Sequence, residues 1–377
     1  RRNMNLYILC ILGVLLISIA CGLIFIPAIL RFCKKKNLYD APGIRKIHKI
    51  SIPRLGGVCF MPSMFIAVLI VLSIHNHEAE NNQISFSLWS ICFFISMSLI
   101  YVVGIIDDLV GLNAKTKFIV QILAASLMPL SGLYINNLYG LWGIYDIPLW
   151  LGAPLTVFVI VFINNAINLI DGIDGLSAGL SLLSLCGFLY CFMNEGLFLY
   201  SILITGLIGV LLTFLYFNLF GKVEKGTKIF MGDSGSLTLG FILGFLLVKF
   251  SMDNPNIMPF RSDSLMISCT LLMVPVFDVF RVIFVRIIHK QPIFNADKNH
   301  IHHKLMRAGL NQHQALIVIL LFSVLFMTIN ILLSMVLDFS YIIIIDVVIW
   351  LLFHYVLNGI IRKNGQKAFQ IEKTNER

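Results

Sequence analysis

The sequence predicts an all-α fold: a polytopic integral membrane helix bundle of about 11 transmembrane helices whose polar segments share the cytoplasmic face. Three observations predict it. The 377 residues are 58% hydrophobic and only 12% charged, with a mean hydropathy of +0.91, whereas soluble chains are roughly half apolar and a quarter charged. Apolar runs of about 17–25 residues, long enough to cross ~30 Å of hydrocarbon, recur along the chain. Lysine and arginine fall in loops between those runs and give a net charge of +9, the pattern of positive cytoplasmic loops and not of a nucleic-acid-binding patch.

The spans lie near 6–30, 56–74, 86–106, 117–135, 148–166, 176–193, 196–220, 235–250, 264–284, 315–336 and 340–361. The first has no small-residue cleavage pattern before its basic flank, so it is expected as a retained helix and not a cleaved signal. The loop behind it carries Arg31, Lys34, Lys35, Lys36, Arg45, Lys46, Lys49 and Arg54, while the next, from His75 to Ser85, has Glu78 and Glu80 and neither lysine nor arginine. This asymmetry sets the amino terminus outside and the 31–55 loop in the cytoplasm, and an odd number of spans carries the basic tail inside as well. Five segments then share the cytoplasmic face: 31–55, 107–117, 164–175, 221–235 and 285–314. The opposite loops hold mainly Asn, Pro and aromatic residues. The longest soluble segment, 285–314, is too short for a core of its own, so residues 1–377 read as a single polytopic membrane domain. The eight cysteines lie mostly in apolar runs, without metal-ligand or CxxC spacing, and read as packing residues.

Nearly every unusual polar residue belongs to one of the five segments. Asn164 to Leu176, reading NNAINLIDGIDGL, joins two spans. Its carboxylates alternate with glycines, which suits a hard, oxygen-ligated cation such as Mg²⁺ with backbone close to a phosphate; the plainer alternative is a polar interhelical turn. Asp107 and Asp108 close the third span ahead of Lys115 and Lys117. Adjacent carboxylates repel, and acids at a helix C-terminus oppose its dipole, so the pair is expected to share a cation or proton, the alternative being a solvated helix end. Met231-Gly232-Asp233-Ser234-Gly235-Ser236 opens the eighth span. Two glycines around an acid at a helix start offer N–H groups to a phosphate and a carboxylate to its metal; the alternative is a simple N-cap. His300, His302 and His303 lie in a basic segment with Lys304. Zinc would need a Cys or a further acid at ligand spacing, so phosphate contacts fit better. The loop Asp40 to Gly57 is similarly basic and turn-rich, with Arg45 and His48 at its centre. Carboxylates, glycine turns and many cations on one membrane face suit phosphoryl transfer, in which positioning and charge neutralisation do most of the work. A transporter would instead place its acids deep in the spans, and a lipid-binding scaffold needs neither the acidic pair nor the GDSGS turn.

The ordered motifs RKIH…PRLGG, GIIDDL, NLIDGIDGL, FMGDSGS and NHIHHKL, spread over residues 40–307, resemble the polyprenyl-phosphate N-acetylhexosamine-1-phosphate transferases, a branch of glycosyltransferase family 4. The resemblance implies transfer of a sugar-1-phosphate from a UDP-N-acetylhexosamine to a polyprenyl phosphate, typically undecaprenyl phosphate, with Mg²⁺ (or Mn²⁺) as cofactor and UMP as product. It implies a multi-pass protein of the bacterial inner membrane, with no nucleic-acid partner and with a homodimer as one assembly open to it. By motif position it makes Asn168 and Asp233 the metal ligands and Asp107 and Asp108 the acidic pair, as base or metal ligand. Lys117 would meet a phosphate, Phe230 would stack on uracil, and Asp171 with Asp174 would line the nucleotide pocket. Arg45, His48, His300, His302 and His303 would bind substrate. The His-Ile-His-His form is that of the branch making lipid-linked GlcNAc for O-antigen or teichoic-acid-type surface glycans. The all-histidine form of the branch using UDP-MurNAc-pentapeptide is absent, which argues against that alternative substrate.

Overall fold

The structure, a computed structural model, describes residues 2–38, 52–78, 87–290 and 299–375. Its helices are α1 (Arg2–Lys36), α2 (Phe60–Glu78), α3 (Leu88–Val110), α4 (Ala114–Leu130), α5 (Leu149–Ile170), α6 (Leu176–Asn194), α7 (Phe198–Phe220), α8 (Gly232–Ser251), α9 (Ser264–Leu271), α10 (Met273–Ile288), α11 (Ile301–Arg307), α12 (Gln312–Leu333) and α13 (Phe339–Asn375). A 3₁₀ turn at Gly56–Cys59 leads into α2. Among the described residues nine helices are long and apolar enough to cross a membrane. The protein is an all-α, multi-pass membrane protein.

Two of the expected spans take another form. The fourth, α4, has 17 residues and opens with Lys115 and Lys117. The ninth is divided into α9 and α10 at Leu272. Pro275 has no N–H to give the Leu271 carbonyl four residues before it, which breaks the helical ladder. Ser184 Oγ on α6 donates to that carbonyl instead, at 2.6 Å. The 136–147 loop, on the face opposite the five polar segments by the sequence reading, forms a two-stranded antiparallel hairpin, β1 (Asn137–Leu141) and β2 (Ile144–Asp146). Its Trp142-Gly143 turn has φ of 50° and 79°, the left-handed pair that a tight hairpin turn requires.

Helix α8 is buried along its whole membrane length and packs against α3, α5, α6 and α9. Lipid tails are as apolar as leucine, so helices in a bilayer associate through close packing and small residues, not through hydrophobic burial. The contacts of α8 follow that rule. A Cβ on Gly57 would sit 2.1 Å from the Gly235 backbone, and one on Gly104 would sit 2.6 Å from Ser234 Cα. Large side chains such as Phe93, Phe188, Phe192 and Phe241 fill the space further down. The close backbone contact at the start of α8 draws the 3₁₀ turn and the end of α3 onto the GDSGS segment.

That contact fixes one end of the bundle, where the described parts of the five polar segments converge. The opposite end is tied separately, by Asn136 Nδ2 to the Asp253 carbonyl at 2.7 Å, Tyr139 Oη to the Ser251 carbonyl at 2.9 Å and the Trp142 N–H to Ser340 Oγ at 2.7 Å.

Candidate active site

The acidic pair at the end of α3 does not act as a pair. Consecutive helix residues point about 100° apart, and the two carboxylates go to different partners. Asp107 Oδ1 accepts the Leu112 N–H at 2.6 Å, in the turn where Gly111 (φ +77°) leaves the helix. Its Oδ2 receives Lys117 Nζ at 3.0 Å. Asp108 reaches across to α8 and accepts the N–H groups of Asp233 and Ser234 at 2.8 and 2.9 Å. It is therefore an anionic cap supplied by a neighbouring helix, favoured by the positive end of the α8 dipole. Arg54 Nη2 lies 3.6 Å from its Oδ1. The sequence expectation that these two N–H groups would be offered to a phosphate is corrected here, because Asp108 occupies them. Gly232 (φ +74°) permits the arrangement: a Cβ there would lie 1.9 Å from the Arg54 carbonyl and 2.6 Å from Asp108 Oδ2.

Asp233 turns the other way. Its Oδ2 accepts Lys117 Nζ at 2.8 Å and its Oδ1 accepts Asn168 Nδ2 at 3.1 Å. Asn168 also donates to Ser236 Oγ at 2.8 Å. Lys117 arrives because Asn113 caps α4 through the Thr116 N–H at 2.7 Å, setting the lysine in the first turn of that helix. One ammonium thus bridges carboxylates from two helices, and the amide of a third helix completes the group.

The NLIDGIDGL turn is held from below by Asn218 of α7, whose Oδ1 accepts the Gly175 N–H at 2.7 Å and whose Nδ2 donates to the Ile229 carbonyl at 2.8 Å. Asp174 is ion-paired with Lys228 at 2.7 Å. Asp171 has burial and the charges of Asp233, Asp174 and Asp108 acting against its ionisation, and its carboxyl is pushed up to about 8. Phe230 belongs to a short backbone ladder with the 53–57 segment, donating its N–H to the Pro53 carbonyl at 2.8 Å and accepting the Gly56 N–H at 2.9 Å.

The histidines separate into distinct settings. His300 Nδ1 bonds Asp278 Oδ2 at 2.8 Å, while Asp278 Oδ1 accepts the Ile301 N–H and Arg281 Nη2, each at 3.0 Å. His302 is buried, neither ring nitrogen has a hydrogen-bond partner, and burial with the neighbouring His303 lowers its basicity to about 3. It lies against the NLIDGIDGL turn, where a Cβ on Gly172 would come within 2.2 Å of Nε2. His303 stacks obliquely beside it at 4.2 Å. Arg45 and His48 lie outside the described residues.

A cavity of about 770 Å³ opens from this end between α4, α5 and α10. Lys117, Asn168, Arg286 and His300 line its polar part and Phe118, Phe158 and Phe162 its apolar part. Of the sequence-predicted residues, Lys117, Asn168 and His300 therefore meet in one space, with Asp107 and Asp233 bonded to Lys117. Asp108, Asp174 and His302 face the supporting structure. Sequence reading missed Asp278, Gln121 and Asn218. Asn165 Nδ2 donates to Gln121 Oε1 at 2.6 Å within the cavity wall. The available signal was a lone polar residue inside an apolar run, which hydrocarbon does not tolerate without a reason.

Among the described residues no group of three or more His, Cys, Asp and Glu is placed to hold a metal. The oxygens beside Lys117 nonetheless form a hard donor set: carboxylates of Asp107 and Asp233, the Ser236 hydroxyl, and the Asn168 amide, whose oxygen and nitrogen are distinguished only by their hydrogen bonds. Two carboxylates converging on one ammonium mark a position that favours positive charge, so the residues fit a divalent cation.

Residues 90–251, which run from within the third expected span through the eighth and hold three of the motifs, match the model of glycosyl transferase family 4. A Bacillus subtilis (strain 168) protein described as a probable undecaprenyl-phosphate N-acetylglucosaminyl 1-phosphate transferase is 34% identical over 319 residues, covering 82% of this chain and 81% of the relative. The chain belongs to glycosyl transferase family 4. Undecaprenyl-phosphate alpha-N-acetylglucosaminyl 1-phosphate transferases of Yersinia pestis and Escherichia coli (strain K12) are 29% and 27% identical, over 76% and 80% of the chain and 74% and 78% of the relatives. The family 4 match spans the acidic pair, the NLIDGIDGL turn and the GDSGS helix start, and stops before the histidine segment.

Proposed function

We propose that this family 4 enzyme transfers N-acetylglucosamine-1-phosphate from UDP-N-acetylglucosamine to undecaprenyl phosphate, releasing UMP, at the cytoplasmic face of the bacterial inner membrane. The observation that carries the reading is the continuity of two environments. Lys117 and Asn168 belong both to the carboxylate centre and to the wall of the largely apolar cavity between α4, α5 and α10. A lipid phosphate needs that junction, with its chain against Phe118, Phe158 and Phe162 and its headgroup at Lys117. The relatives' names supply the sugar and the lipid.

The acceptor phosphate oxygen forms a bond to the sugar-bearing β-phosphorus as the bond from that phosphorus to the bridging oxygen breaks, and UMP leaves with that oxygen. The second pKa of a phosphate monoester is about 6, so the acceptor is already dianionic at neutral pH and no base is required. Charge management is the task that remains. Lys117 is held by Asp107 and Asp233 in a position to meet an entering phosphate, and Asn168 is oriented by Ser236 and Asp233. Asp233 and Asn168, with Asp107, would hold Mg²⁺ or Mn²⁺, which when bound neutralises diphosphate oxygens and the departing phosphate. Asp108 keeps the start of α8 in place. Asp171 borders the nucleotide side, with Phe230 offering a ring to uracil, while Asp174 holds Lys228 beneath it.

The test is product analysis with purified protein, undecaprenyl phosphate and a panel of UDP-N-acetyl sugars. UMP and a lipid-diphosphate-sugar are expected, with the greatest rate for the GlcNAc donor. UDP as product would mean that the sugar–oxygen bond breaks and would overturn the reading. Orientation is tested by single cysteines at Ser51, Lys115, Lys225 and Asn311 in a background without native cysteines. Labelling of any of them by an impermeant reagent from outside intact cells would place that segment on the wrong face.

A further inference from the structure

A second polar group lies far from the candidate site, in the layer of α9, α12 and α13. Asp346 and Asn330 are both 0% exposed. Asn330 Nδ2 donates to Asp346 Oδ2 at 2.9 Å and to Thr270 Oγ1 at 3.0 Å, which uses both amide hydrogens. Asp346 Oδ1 and Asn330 Oδ1 have no partner. Among the described residues no lysine, arginine or histidine forms an ion pair with Asp346. At ~1.5 Å rise per residue, Asp346 lies about 10 Å along α13 from its Phe339 end, within the span. An uncompensated carboxylate there is costly, and two buried acceptor oxygens without donors add to the cost.

One proton removes both difficulties. An acid and a primary amide pair through a ring in which the amide N–H donates to one carboxyl oxygen and the acid O–H donates to the amide oxygen. The structure holds the first half of that ring, and the two oxygens left over are those that the second half joins. We propose that Asp346 and Asn330 form an intramembrane proton-binding site, with the proton on Asp346 Oδ1 donated to Asn330 Oδ1. A metal ion suits the place less well. Two thioethers lie beside these side chains and Thr270: Thr270 Oγ1 lies 3.6 Å from Met266 Sδ, and Asn330 Nδ2 lies 4.0 Å from Met273 Sδ. Thioether sulfur is a poor ligand for a hard cation, and two or three oxygens do not fill its coordination shell.

The bound proton pins α13 to α12 and α9 without a buried charge, and α12 and α13 are the helices against which the histidine-bearing α11 packs. Further along it, His354 Nδ1 lies 3.5 Å from Lys304 Nζ, and Asn364 Nδ2 donates to the Ala308 carbonyl at 2.8 Å. His354 is the nearest titratable group on the same face of α13, two turns from Asp346.

Infrared spectroscopy of the purified full-length protein tests the site without reference to activity. The Asp171→Asn background removes a carboxyl pushed up to about 8 by burial and neighbouring acids. At pH 7, Asp346→Asn is expected to delete a protonated-carboxyl C=O band. It should melt at the parent temperature, because an amide–amide ring replaces the acid–amide ring, whereas Asp346→Leu should melt lower. A difference spectrum showing only carboxylate bands overturns the proposal. So does a carboxyl band that NaCl, but not choline chloride, converts to carboxylate, which would make this a monovalent-cation site. Should Asp346→Asn fail to fold, Asn330→Leu keeps the acid and removes its acceptor. The band must then shift upward, and an unshifted band overturns the pairing.

Discussion

The carboxylate centre on α3, α4, α5 and α8 and the histidine centre on α10 and α11 both line up acids with cations, but they differ in how completely the acids are used. Asp278 is fully buried, and three donors saturate it from His300, Ile301 and Arg281. Asp233 is partly exposed and shares Lys117, itself a quarter exposed, with Asp107. A saturated, buried acid fixes backbone and side chains in one arrangement. An acid whose partner is a flexible, accessible ammonium can exchange that partner for a substrate phosphate or a cation. On the proposed function the comparison separates a supporting centre from a reacting one, although in the sequence both are acids and bases at the edge of apolar runs.

The largest effect is expected where the supporting acid is removed. Asp278→Ala leaves Arg281 and the His300 segment without their shared acceptor, and breaking a buried pair typically costs about 3–5 kcal/mol. Thermal unfolding in detergent should show a large drop in midpoint, with activity lost in proportion to folded protein. A variant with unchanged melting would remove Asp278 from the supporting role.

In the reacting centre the order is reversed, with rate affected and stability kept. Asp233→Asn preserves shape and removes one charge, so turnover should fall on the order of 10²-fold or more while melting stays near that of the parent. Asn168→Ala should act similarly. The double variant should be little worse than either single one, because groups serving one ion are not additive. Multiplicative losses, or normal turnover of Asp233→Asn at limiting Mg²⁺, would show that the two do not share a cation.

The contact between the centres is sharper still. Gly172→Ala would drive a methyl group to within 2.2 Å of His302 Nε2. Overpacking of this kind costs about 1–3 kcal/mol, and here it falls on a turn next to the site. Turnover should fall about tenfold or less, because only part of that cost reaches the transition state, and His302→Ala should restore part of it by making room. If the double variant is no better than Gly172→Ala, the turn is not seated on His302.

How much of this was legible in the sequence follows from the same contrast. In a chain so apolar, Asp107, Asp108, Asp171, Asp174 and Asp233 stand out by composition alone, and their place at the ends of apolar runs pointed to the candidate site. Their partners were not legible. Asp108 meets the start of α8 across 125 residues, and Lys117 meets Asp233 across 116. Such pairings are decided by which helices are neighbours, which span lengths do not specify. Asp278 and Asp346 were passed over because a single acid inside an apolar run leaves hydropathy almost unchanged. The break at Leu272 could have been anticipated from Pro275, whose effect on the preceding carbonyl is local. The hairpin at 137–146 was hidden by an all-helical expectation, although Trp142-Gly143 is a turn signal.

The smallest effect concerns pH, and it distinguishes a crowded acid from a saturated one. Asp171 is held up to about 8 by burial and by the negative charges of Asp233, Asp174 and Asp108, whereas an aspartate in an unfolded chain ionises near ~3.9. Between those two values the folded protein binds a proton at Asp171 that the unfolded chain has lost, so stability must decline as pH rises through this window. Asp171→Asn cannot ionise and should remove that part of the decline. Melting midpoints of parent and variant, compared from pH 5 to pH 8, should therefore diverge, the parent falling more steeply. Mg²⁺ should narrow the gap, because a cation among the same carboxylates offsets the repulsion that holds the proton on. Parallel slopes for the two proteins would mean that Asp171 is already ionised at pH 5, and the crowding of acids around the NLIDGIDGL turn would then have to be relieved by a partner other than a proton.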